Sequence, residues 1–330
     1  MHSWLARRIF TSLILVFCLV SAVFFLAHLA PGDPLDLVLE TVAESLSPQE
    51  RLDLRQRYGL DESLGRQYLI WLGKLGQGDF GLSLDQQRPV REILNQAVPA
   101  TLLLTLSAYV LHLALALGAS LLMVRWPGSW ADRWLQGVGL GLYAVPGFWL
   151  GLMAIMLFSR QLGWFPASGM QSTDAGFMST PDRWLDTAHH LVLPACTLAL
   201  GSFMGTARYL RASLNEALGQ DYILAARSRG IPESRIFRHH ALRNALLPLI
   251  TLVGLSLPFL LGGAVVTEVV FGWPGMGRVT VDAIFARDYP VVMATTLTAA
   301  VMVVLGSLVA DLLYRRADPR VGMSRAGGSL

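Results

Sequence analysis

The sequence predicts an all-α membrane protein. Six transmembrane helices are expected, with both termini on the cytoplasmic side and a small helical extracytoplasmic region after the first helix. Three observations predict it. Of 330 residues, 53% are hydrophobic and only 15% charged, where a soluble domain carries about 25% charge. Six apolar stretches are each long enough to cross ~30 Å of hydrocarbon as a helix of ~20 residues. The arginines gather in alternate connections, as the positive-inside rule requires of a multi-span chain. The mean hydropathy of +0.49 agrees with this class.

The first span covers residues 9–29 and follows Arg7 and Arg8. Its apolar core is longer than the ~7–15 residues of a cleaved signal, and no A-x-A site follows, so a retained anchor is expected. Residues 31–99 are too polar for lipid and too long for a plain loop. Within them, SPQERLDLRQRYGL reads as a helix, with Ser47 as N-cap, Pro48 in the first turn, Glu50 completing a capping box and Gly59 as the stop. DESLGRQYLIWLGKLGQGDFG reads as a second short helix ending in a glycine-rich turn. No metal-ligand or catalytic-triad spacing occurs there, which favours docking or gating over chemistry.

The remaining spans are expected at 101–124, 135–159, 191–210, 246–270 and 291–313. Pro146 and Gly147 interrupt the third, and Pro248, Pro258, Gly262 and Gly263 interrupt the fifth. Breaks in lipid require neighbours to satisfy the freed carbonyls. They fit either irregular packing or a moving pathway. His112 falls mid-span, while Glu268 and Asp311 fall near span ends. No row of carboxylates suggests an ion relay.

Arg7 and Arg8, Arg125 and Arg133, the arginines from Arg211 to Arg243, and Arg315, Arg316 and Arg320 mark one side as cytoplasmic. The short opposite connections hold few positives: Arg160 and Arg183 in one, Arg278 and Arg287 in the other. Trp126, Trp130 and Trp134 suit the headgroup level. Cys18 and Cys196 lie in apolar runs without CxxC or metal spacing and read as small buried residues. The net charge of +3 gives no argument for nucleic acid. The one lysine, Lys74, sits in GKLG rather than GK[ST], so a P-loop ATP site is excluded.

The unusual segment is GQDYILAARSRGIPESRIFRHHALRNALLP, residues 219–248. It places five arginines and two acids between apolar stretches. DYILAARS reads as a helix stopped at Gly230. Pro232 and Glu233 then open a second helix that leads into the fifth span. Ala225 and Ala226 lack bulk, so another surface could approach the backbone. Arg227, Arg229, Arg235 and Arg238 could pair with carboxylates of a partner or with lipid headgroups; a basic helix touching only lipid is the plain alternative. His239 and His240 are adjacent, point apart on a helix, and make a poor metal pair.

This segment resembles the cytoplasmic EAA loop of permeases in ATP-binding cassette importers. The whole chain resembles the dipeptide, oligopeptide and nickel branch of that family. The resemblance is carried in order by LAPGDP (29–34), GLDESLGRQYLIWL, GDFGLS, QAVPATLLLTL, DYILAARSRG with ALRNALLP, TEVVFGWPGMGR, ARDYPVV and DLLYRRADPR. The loop departs from the idealised pattern: Glu216 lies upstream of Ala225–Ala226, and Leu224 stands where the name-giving glutamate would.

The resemblance implies a paralogous permease subunit, two ATPase subunits carrying ATP and magnesium, an extracytoplasmic substrate-binding protein, and no cofactor in this chain. Residues 1–30 would be the N-terminus and first span, 31–99 the extracytoplasmic region, and 100–330 the five-helix transport domain with a coupling loop at 213–247. Its ATPase-coupling residues would be Glu216, Asp221, Tyr222, Ala225, Ala226, Arg227, Arg229, Gly230 and Arg235. Peptides are the expected cargo, with nickel or a metal chelate as the alternative. A secondary transporter lacks its mid-membrane acids and inverted repeat. A membrane enzyme lacks HExxH or GxSxG among the scattered His28, His112, His189 and His190.

Overall fold

The computed structural model describes residues 2–29, 62–246, 249, 252–253, 256 and 264–317. The helix expected within 47–60 lies outside them. Among the described residues the secondary structure is helical apart from one isolated antiparallel bridge between Leu82 and Pro89. In chain order, the helices are α1 (His2–Leu29), α2 (Leu64–Gly76), α3 (Val90–Arg125), α4 (Trp130–Ala144), α5 (Gly147–Ala154), α6 (Thr180–Leu200) and α7 (Phe203–Leu218). They continue as α8 (Asp221–Ser228), α9 (Glu233–Arg235), α10 (Leu242–Ala245), α11 (Val265–Val270), α12 (Met276–Phe285) and α13 (Tyr289–Ala317). π-helical turns Ile155–Gln161 and Ile236–Ala241 extend α5 and α9.

Three helical stretches, Arg7–Leu26, Val90–Arg125 and Tyr289–Leu312, are long and apolar enough to cross a membrane. Two bent pairs raise this to five if each is one span: α4 with α5 and its π turn, bent by 105°, and α6 with α7, bent by 52°. The fifth expected span, 246–270, falls about half outside the described residues. α3 begins at Val90, earlier than the expected 101, and carries Pro99 within it. The break expected at Pro146 is real. Pro146 has φ −58° and ψ 134°, and without an N–H it cannot continue the ladder of α4, so the chain turns before α5 starts.

The chain divides into two compact units. The first comprises Met1–Thr101 with Pro274–Met302. Here α2 lies on α1 through aromatic packing: the Phe24 ring is 5.2 Å from both Tyr68 and Trp71, and the Ser21 and Tyr68 hydroxyls are hydrogen-bonded at 2.5 Å. Gly78 and Gly81, with φ of +74° and +80°, let the chain double back after α2. Ser83 is then buried and donates to Asp288 Oδ2 at 2.5 Å. Asp288 in turn accepts from Val291 N in the first turn of α13. Val90, Ile93 and Leu94 of α3 pack with Ala283, Val291 and Ala294. The Met276 amide donates to Thr101 Oγ1 at 2.7 Å. GDFGLS therefore meets ARDYPVV, and QAVPATLLLTL meets the glycine-rich GWPGMGR, although no local pattern in the sequence links them.

The second unit comprises Leu102–Trp273 with Val303–Leu330. Its core is Ala116, Ala119 and Met123 of α3 against Phe203, Met204, Ala207 and Leu210 of α7. Small residues let helices close up. A Cβ at Gly139 of α4 would collide with the Met204 side chain, and one at Gly151 of α5 would lie 3.1 Å from the Phe271 ring. Mid-span His112 bridges to both sides of the α7 start, with Nδ1 2.9 Å from Ser202 Oγ and Nε2 3.0 Å from Thr206 Oγ1.

Candidate functional site

The charged segment folds as a short helix seated on an apolar platform. α8 is eight residues long, too short to hold itself together in water. Its stability comes from Ile223 and Ala226, three positions apart on one face. They are buried with Leu214 and Ala217 of α7 and with Ile236, Ala241 and Ala245 of the following turns. The Tyr222 hydroxyl accepts from Asn244 Nδ2 at 3.0 Å, a second tie from α8 to α10.

The stop at Gly230 closes as the sequence predicts. Gly230 has φ +70°; its amide donates to the Arg227 carbonyl at 2.9 Å and the Ile231 amide to the Ala226 carbonyl at 3.2 Å. That paired bonding with a left-handed residue is the Schellman arrangement, and Ile231 adds its apolar contact to the platform. Pro232 then caps α9 with φ −58° and ψ 138°.

An ion pair spans this turn. Arg227 Nε donates to Glu233 Oε1 at 2.7 Å and Nη2 to Oε2 at 3.3 Å. The hydrogen bond from Arg227 holds the Glu233 carboxyl below its ordinary pKa, and Glu233 raises that of Arg227. Both side chains are well exposed, so the pair fixes geometry more than it adds stability.

The structure sorts the expected site residues. Ala226 is only 7% exposed and turns into the chain's own core. The close approach expected at both alanines is therefore available at Ala225, while Ala226 serves internal packing. Asp221, Tyr222, Ala225, Arg229, Gly230 and Arg235 are exposed, as is Glu216 on α7. Leu224 stands 59% exposed in the middle of α8. Among the described residues, Arg229 and Arg235 have no carboxylate partner. Arg227 does have one. Sequence reasoning placed Glu233 at a helix start but missed it as that partner. Its signal was an acid and an arginine six residues apart across a Gly-x-Pro turn. Ile223 was also missed, although it stands three residues before Ala226. Groups of three or more His, Cys, Asp or Glu that could hold a metal ion do not occur among the described residues.

Comparisons with known proteins agree along the chain. Residues 113–323 match the family described as binding-protein-dependent transport system inner membrane component, and residues 1–105 match its N-terminal companion. The chain is 40% identical to the oligopeptide transport system permease protein AppB of Bacillus subtilis (strain 168), over 97% of this chain and 99% of that one. It is 38% identical to the di/tripeptide transport system permease protein DppB of Pseudomonas aeruginosa (strain UCBPP-PA14), over 98% and 100%. It is 34% identical to the glutathione transport system permease protein GsiC of Escherichia coli (strain K12), over 97% and 99%. An inward-facing structure of the MetNI methionine ABC transporter shares the fold at 20% identity and a TM-score of 0.52, covering 69% of this chain and 97% of that one. With matches over nearly its whole length, the chain belongs to the family of inner-membrane components of binding-protein-dependent transport systems.

Proposed function

We propose that this chain is one permease half of an ATP-binding cassette importer for short peptides, with both termini in the cytoplasm. α8 is its coupling helix and seats in a groove of an ATPase subunit. ATP and magnesium act on two such subunits, a paralogous permease completes the pathway, and a binding protein delivers cargo to the extracytoplasmic side, where residues 31–99 would form a helical region.

One observation carries the coupling assignment. α8 is fixed from below by Ile223 and Ala226 yet presents Leu224 and Ala225 outward, beside Arg229, which has no carboxylate partner among the described residues. A rigid helix with an apolar outer ridge and a cation at its C-terminal end suits a helix-in-groove contact. Glu216, Asp221, Tyr222, Arg235 and Gly230 frame that contact; Arg227 shapes the turn through Glu233. Peptides are favoured over a nickel chelate because the relatives above are named for oligopeptides, di/tripeptides and glutathione.

The test is reconstitution of the full complex in proteoliposomes with Ala225→Cys in this chain. Crosslinking of the thiol introduced by Ala225→Cys to the ATPase, together with ATP-dependent peptide uptake, is expected. Uptake without any ATPase would point instead to a secondary transporter. Uptake of a nickel chelate but no peptide would change the cargo and leave the machinery.

A further inference from the structure

We propose that Asp132 and Arg211 form a positioning pair that passes the motion of α8 to α4 and α5. The inference rests on the assignment of α8 as the coupling helix.

Asp132 stands in the first turn of α4 with its side chain only 3% exposed. Its carboxylate accepts four hydrogen bonds: from the Gly128 amide at 2.8 Å, from Gln136 Nε2 at 2.6 Å, and from Arg211 Nη1 and Nη2 at 2.9 and 3.0 Å. The Arg211 contact is a two-pronged fork, which fixes direction as well as distance. Ser129 caps the same turn by accepting from the Asp132 amide at 3.1 Å. The start of α4 is thus bound to the middle of α7 by one carboxylate.

A second contact lies seven residues along each helix. Gly139 of α4 meets Met204 of α7 so closely that no Cβ fits. From 132 to 139 on one helix and from 211 back to 204 on the other, the steps match, as they must in an antiparallel pair. Seven residues are two helical turns, about 10 Å. Two helices fastened at two points two turns apart cannot slide or roll independently.

α7 runs seven residues beyond Arg211 to Leu218, and its Leu214 and Ala217 form the platform under α8. At its other end α4 reaches the 105° bend and continues into α5, which closes on Phe271 at Gly151. A displacement of α8 is therefore carried along α7, across the Asp132–Arg211 fork, into the bent α4–α5 pair. Arg211 was counted in the sequence only as one of the orienting positive charges; its buried partner gives it this second role.

The experiment uses the whole complex, both permeases with ATPases and binding protein, in proteoliposomes. Peptide delivered per ATP hydrolysed is measured for wild type, Asp132→Asn and Arg211→Lys. A merely structural role would lower uptake and hydrolysis together with the amount of complex, leaving their ratio unchanged. A positioning role lowers the ratio, by fivefold or more in Asp132→Asn and less in Arg211→Lys, while the crosslink from Ala225→Cys to the ATPase persists when the substitutions are combined. An unchanged ratio overturns the proposal. If Asp132→Asn does not assemble, Arg211→Lys decides by the same ratio. A wild-type complex that takes up no peptide would overturn the peptide reading of the proposed function, and the control shows this before any variant is read.

Discussion

The two alanines of α8 separate packing from docking, and replacing each in turn tests both. Ala226 is enclosed by Leu214, Ala217, Ile223, Ile236, Ala241 and Ala245. Ala226→Leu forces three further carbons into that cluster, and overpacking of this kind costs about 1–3 kcal/mol. At about 2 kcal/mol the midpoint of thermal unfolding falls by roughly 3 °C for a chain of 330 residues. Ala225 faces outward. Ala225→Leu and even Ala225→Trp therefore stay within about 0.5 kcal/mol of wild type in stability. If α8 docks as proposed, the bulkier side chain stands where the ATPase groove closes, and co-purification of the ATPase is lost. The assays are thermal unfolding of the purified permease pair in detergent and recovery of ATPase from the tagged complex. A wild-type midpoint for Ala226→Leu would mean that the platform under α8 is absent. ATPase recovery undiminished by Ala225→Trp would mean that α8 does not dock through this face.

Other substitutions address single features. Gly230→Ala costs about 1–2 kcal/mol because φ is +70°, with no neighbour within 4 Å to clash; Gly230→Asn costs less, and the order of unfolding midpoints checks it. Gly139→Ala destabilises by about 1–3 kcal/mol through Met204, and adding Met204→Ala recovers part of that loss in a double-mutant cycle. Ser83→Ala removes a donor from buried Asp288 and costs about 1–3 kcal/mol in thermal unfolding. The Glu233 carboxyl is held low by Arg227, so the contribution of the pair is complete above the ordinary glutamate range near about 4.3. It is lost as the pH falls through the lower folded value. The protection factor for hydrogen exchange at the Ile231 amide should fall there in wild type and show no such step in Arg227→Ala.

What the sequence made legible was local. Uninterrupted apolar length marked α1, α3 and α13. Gly230 and Pro232 marked the two ends of a turn because one requires a left-handed backbone and the other cannot continue a helix. Pro146 marked a break, although nothing local sets the bend at 105°. The contacts that organise each unit were invisible because they join distant segments. Ser83 and Asp288 are 205 residues apart, and Arg211 and Asp132 are 79 apart. Neither pair shows a periodicity or spacing. Arg211 read only as one of the orienting cations, and nothing local singled out Asp132. Ala226 could have been assigned inward from its spacing to Ile223, but an eight-residue helix offers too few turns for the apolar face to stand out.

The proposed coupling role accounts for the charge of the loop together with its packing. A coupling helix must leave the membrane, meet another protein, and still move the helices it came from. Leaving the membrane requires an outer surface of arginines and hydroxyls. Moving the helices requires an inner surface welded to α7, which Ile223 and Ala226 supply. Meeting a partner is most favourable when nothing has to be ordered on contact, since each side chain immobilised at an interface costs about 0.5–1.5 kcal/mol. Here the turn after α8 is closed twice before any partner arrives, once by the backbone bonds around Gly230 and once by the Arg227–Glu233 fork. In the proposed coupling role Arg227 shapes the loop from within while Arg229 and Arg235 face outward, so replacing Arg227 should change the shape offered to an ATPase more than the charge.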